Sequence, residues 1–180
     1  MNMTDNINSD EEFSIGEYIV YKGVGMCIVE DIRNQDFNLS GNRLYYVIRP
    51  VYDKSSTVYV PVNSDETGAR MKRPMSRDEL NLLIKTASEK DEDWIEDGKK
   101  RAARLDQIIS SGVKMDILRM LKTLVDHKNS TETHKKLYAC DERFFAAAGN
   151  MVAEELAYVL DIPKDKAINF VLGEMMGMAI

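Results

Sequence analysis

The hydrophobic pattern of the chain changes period once, at Ser76, and that change restricts the fold more than any other feature. Before it, apolar residues alternate in short runs bounded by glycine, proline and polar clusters, as strands do. After it, they recur every three to four residues, as on helices that bury one face. Strands gathered in one stretch and helices in the next predict an α+β protein of two domains.

In the first stretch, FSIGEYIVYKGVGMCIVEDIR predicts strands over 17–21 and 26–33, joined by a turn at Lys22, Gly23, Val24 and Gly25. RLYYVIRPVYD and TVYVPV predict a second hairpin around the polar tip DKSS. Tyr45, Val47, Val58 and Val60 alternate along it, and Pro50 and Pro61 confine parts of it to edges or strand ends. Residues 69–72, ARMK, predict a fifth strand. Strands this short and this close together predict a small SH3-like or Tudor-like barrel, which removes sheet edges by closing on itself.

In the second stretch, Ser76 and Glu79 form a capping box that opens a helix through Leu80, Leu83 and Ile84. Further helices are predicted over 98–110 and 113–128. A broad apolar stripe follows, containing Phe144, Phe145, Ala148, Met151, Val152, Leu156, Val159 and Leu160, and a last helix starts at Pro163. Met175, Met176 and Met178 fall at its end, where packing or a partner contact is expected of them. The expected organisation is an acidic tail over 1–12, a barrel over 13–72 and an all-α domain over 73–180.

Composition narrows the function. With 180 residues, 44% of them hydrophobic and 30% charged, the chain is ordinary globular material. It has no long apolar run and begins with a polar, acidic stretch, so neither a membrane span nor a signal peptide is expected and the protein is read as cytoplasmic. A net charge of -6 excludes bulk electrostatic coating of nucleic acid, so any DNA contact must come from a local basic patch. No phosphate loop, nucleophile elbow or HExxH pattern occurs, and neither an enzyme nor a small-molecule substrate or cofactor is expected. His127 and His134, with only Asp126 and Glu132 near them, do not have the ligand spacing of a metal site. Cys27 and Cys140 read as buried free thiols.

Two features could carry function. The hairpin ending in TVYVPV could add a strand from a partner to its exposed edge. The sole tryptophan, Trp94, stands in EDWIEDGKKRAAR ahead of Lys99, Lys100, Arg101 and Arg104. Such an indole either packs in a core or stands at the surface against nucleic-acid bases while the cations hold phosphates.

The order FSIGEYIVYKGVG, RLYYVIRPVYDKSSTVYVPV, MKRPMSRDEL, DWIEDGKKR and a helical domain around CDERFF resembles the CarD family of bacterial transcription regulators, in particular its short clostridial type. The resemblance runs from residue 13 to about 162. It implies that the barrel binds the β1 lobe of the RNA polymerase β subunit through a strand made by Thr57, Val58, Tyr59 and Val60. It also implies that the helical domain faces promoter DNA. There Trp94, backed by Lys99, Lys100, Arg101 and Arg104, would enter the minor groove at the upstream edge of the bubble and stabilise the open complex. Two other readings stand beside it. One is a polymerase-binding adaptor without DNA contact, and the other is a general peptide-binding module in which Tyr18, Tyr21, Tyr45 and Tyr46 cluster.

Overall fold

The computed structural model describes residues 13–37, 41–53, 55–90, 92–130 and 137–177. They divide between Pro74 and Met75 into two compact units.

The first unit is a five-stranded antiparallel sheet with the order β4-β3-β2-β1-β5. Its strands are β1 (Tyr18–Tyr21), β2 (Gly25–Gln35), β3 (Arg43–Pro50), β4 (Val58–Pro61) and β5 (Met71–Lys72), with a short helix α1 (Asp65–Arg70) between β4 and β5. The turn from β1 to β2 needs a positive φ of 87° at Gly23, which glycine adopts without strain. In β2 the register shifts between Val29 and Asp31, where Glu30 is the extra residue of a bulge. That single insertion changes which parity faces inward. Val29 lies opposite Ile48, Ile32 lies opposite Tyr46, and both stay on the core side. The core is built from Phe13, Ile19, Cys27, Val29, Tyr46, Ile48, Val60 and Met71, all close to fully buried. The Tyr46 hydroxyl accepts a hydrogen bond from the Phe13 backbone N–H at 3.2 Å, and the two rings meet edge to face at 5.9 Å.

The expected barrel does not close. β4 and β5 lie at opposite edges of the sheet and do not pair, so the described sheet is open. The cause is local. Ser64 caps α1, its side chain accepting from the Thr67 N–H, and the Thr67 hydroxyl bonds the Pro61 carbonyl. Ala69 and Arg70, expected in a strand, are taken into this helix, and β5 is left with two residues. α1 packs on both β4 and β5, where a longer fifth strand would have had to bridge.

The second unit is all helix: α2 (Arg77–Ser88), α3 (Gly98–Ser111), α4 (Lys114–Asn129), α5 (Ala139–Leu160) and α6 (Lys164–Met175). The Ser76 and Glu79 capping box is present in full. The two bonds from Ser76 hold the Glu79 carboxyl below its ordinary pKa. Gly112 ends α3 at a φ of 67°, which turns the chain directly into α4. Leu80, Leu105, Ile117, Leu121, Val152, Leu156 and Val171 join one core contributed by every helix. Met175 is buried in it, whereas Met178 lies outside the described residues. Among the described residues, no helix is long and apolar enough to cross a membrane.

Candidate functional site

Two places could bind a partner, one in each unit. In the sheet it is the outer edge of β4. The Val62 N–H donates to the Leu44 carbonyl at 2.9 Å, which fixes the alternation along the strand. Val60 and Val58 therefore turn their backbone groups toward β3, while Tyr59 and Thr57 turn theirs to the open side. Pro61 shares that open side, where its missing N–H costs the sheet nothing. Of the four residues expected to face a partner, Thr57 is exposed and precedes the strand, and Val58 and Tyr59 are half-buried. Val60 is fully buried, so it contributes to packing and not to a contact surface.

Above this edge, on the face away from the core, the exposed Phe37 ring packs edge to face on Tyr45 at 5.2 Å and on Tyr59 at 4.9 Å. Arg33 lies over the Tyr59 ring and donates to its hydroxyl at 2.8 Å. The cluster of Tyr18, Tyr21, Tyr45 and Tyr46 considered for a peptide-binding module is divided by the pleat. Tyr46 and Tyr21 are buried, whereas Tyr45 faces outward with Phe37.

In the helical unit the place is the segment from Glu92 to Asp97, which carries Trp94. The indole is half-buried against the helical core. The His127 ring from α4 stacks on it at 3.4 Å between centroids and 8° between planes. The Arg101 guanidinium from α3 lies over it at 4.4 Å. An imidazole and a guanidinium cannot share one ring face at those distances, so the indole lies between them. The segment is tied down at further points. Arg101 donates to the carbonyls of Ile95 at 2.7 Å and Glu96 at 3.2 Å, and the Thr123 hydroxyl donates to the carbonyl of Glu92 at 3.3 Å.

The four cations expected beside Trp94 separate into two kinds. Lys99 and Lys100 are exposed in the first turn of α3. Arg101 is 4% exposed and makes a two-pronged bond to Asp141 in the first turn of α5, at 3.0 and 2.9 Å. Arg104 pairs with Glu92 at 3.2 Å. Asp97 caps α3, its carboxylate accepting from the Lys100 N–H at 2.9 Å.

Asp141 and His127 are the residues that the sequence reading left out of the site. Asp141 is forty residues from Arg101 in sequence, beyond any local pattern. The burial of Arg101 did have a signal, because it occupies the same helix face as Leu105 and Ile108. In the sequence His127 stands near His134 without the ligand spacing of a metal site; His134 lies outside the described residues, and no group of residues able to hold a metal occurs among those described.

Residues 13–74 match the family model described as the CarD-like/TRCF RID domain. No curated protein matches the chain. The sheet unit is thus a CarD-like RNA polymerase-interacting domain.

Proposed function

We propose, with a CarD-like domain over residues 13–74 as the premise, that this protein is a non-enzymatic transcription regulator that docks on RNA polymerase. A strand of the β1 lobe of the β subunit is added to the outer edge of β4. The observation that supports this reading is the outer edge of β4, unpaired among the described residues, with the Tyr59 N–H and carbonyl turned outward beside the Phe37 and Tyr45 rings. Main-chain bonds of this kind contribute about 1 kcal/mol each, so the aromatic side chains must supply much of the affinity.

Tyr59→Pro tests it. The Tyr59 N–H takes no part in the β3–β4 ladder, so proline is tolerated there as it is at Pro61, yet it removes the donor a docked strand needs. Binding to purified polymerase is expected to weaken about tenfold relative to Tyr59→Ala, which removes only the ring. Equal affinities for the two variants would rule out strand addition at this edge.

A second reading concerns promoter DNA, and the half-exposed Trp94 with exposed Lys99 and Lys100 nearby favours it. The indole edge enters the minor groove at the upstream edge of the bubble and the lysines meet phosphates. Unstacking a base step costs a few kcal/mol, and a wedge that offsets about 1.4 kcal/mol changes the open-to-closed ratio about tenfold. The net charge of -6 is compatible with this because tethering through polymerase supplies the local concentration. Trp94→Ala is expected to shorten the open-complex lifetime by about tenfold while polymerase binding is retained. An unchanged lifetime leaves the polymerase-binding adaptor as the function.

A further inference from the structure

We infer that Arg101 is a positioning residue for Trp94: with Asp141 and His127 it clamps the indole so that the ring presents an edge and neither face. The functional side of this inference rests on Trp94 acting at the promoter, whereas the clamp itself does not.

The chemistry of Arg101 singles it out. Its Nε and Nη2 donate to the two Asp141 carboxylate oxygens, and its Nη1 donates to the Ile95 and Glu96 carbonyls, which immediately follow Trp94. The same guanidinium lies over the indole. One buried group therefore fixes the backbone after the tryptophan, covers one of its faces and ties both to α5. Only an arginine fork can do this, because a lysine ammonium offers a point charge without the planar, divergent donors. A buried ion pair is seldom a better stabiliser than apolar residues of the same volume, so packing alone gives little reason for the pair. Holding the Trp94 segment at a fixed height and angle does give one.

The clamp also dictates how the ring can be used. With His127 at 3.4 Å on one side and Arg101 on the other, the ring cannot stack between bases unless one of them is displaced. An edge-on wedge needs no such displacement. Arg101 was expected among the residues that hold phosphate, and its burial reassigns it from contacting DNA to aiming the residue that does.

Because Trp94 is the only tryptophan, its fluorescence reports the clamp directly in the full-length chain. The experiment compares acrylamide quenching of Trp94 in wild type, Arg101→Lys and His127→Ala, with open-complex lifetimes on purified polymerase and promoter DNA for the same proteins and for Trp94→Ala. Each substitution uncovers one of the two ring faces, so quenching is expected to rise about twofold while helical content by circular dichroism is kept. The Arg101→Lys lifetime is expected to fall to that of Trp94→Ala. His127→Ala leaves the buried pair intact, so it decides the matter should Arg101→Lys fail to fold. Unchanged quenching in a folded variant overturns the clamp. A lifetime that falls for Trp94→Ala but not for a folded Arg101→Lys with raised quenching overturns the positioning role. Raised quenching with no lifetime effect in any variant, Trp94→Ala included, leaves the clamp standing and removes the promoter reading instead.

Discussion

Asp141→Ala is expected to destabilise the helical unit by about 3 to 5 kcal/mol, because it leaves the Arg101 guanidinium buried without its counter-charge. The side chains of the pair are 5% and 2% exposed, so water cannot replace the lost carboxylate without opening the junction between α3 and α5. A loss of this size is a large part of the roughly 5 to 15 kcal/mol that holds a typical domain together. Urea unfolding followed by Trp94 fluorescence measures it, since the probe sits at the disrupted pair. Asp141→Asn, which keeps one acceptor and the shape, should lose clearly less. A midpoint for Asp141→Ala equal to that of wild type would mean that the pair contributes nothing to folding.

Tyr46→Ala is expected to cost the sheet unit about 3 to 5 kcal/mol, comparable to removing any large aromatic side chain from a core. Tyr46 is fully buried at the centre of β3, touches Phe13 edge to face and sits opposite Ile32 across the bulge. Tyr46→Phe separates the contributions. It keeps the ring but leaves the Phe13 N–H without its acceptor, at a cost of about 1 to 3 kcal/mol. Amide hydrogen exchange in β2 and β3 reads both losses within the sheet unit, whereas Trp94 reports the helical unit. Exchange rates unchanged by Tyr46→Ala would contradict the placement of this residue at the core.

How much of this was legible in the sequence depends on the range of the interactions involved. The alternation in β3 and the capping box at Ser76 are written within a few residues, and both elements form where the pattern puts them. Alternation also separates Tyr45 from Tyr46, although a count of aromatic residues alone gathered them into one cluster. The open sheet is not legible, because residues 69–72 by themselves predict a strand while the helix that takes in Ala69 and Arg70 begins upstream of them. Ser64 capping and the Thr67 bond to Pro61 make a helix of Asp65–Arg70, and β5 is left with only Met71 and Lys72. At Trp94 the local string is rich in charge, and it leaves open whether the indole packs in a core or stands at the surface with its cations on phosphates. What decides the fate of Arg101 is Asp141, which no spacing rule connects to it. The same separation kept His127 out of view, since its role depends on a ring that lies on another segment.

Pro61 carries one more consequence. Along its open side β4 presents a main-chain donor at Tyr59 and, two residues further on, none. The edge therefore denies a continuous hydrogen-bonding rail to a second copy of the chain seeking to polymerise along it.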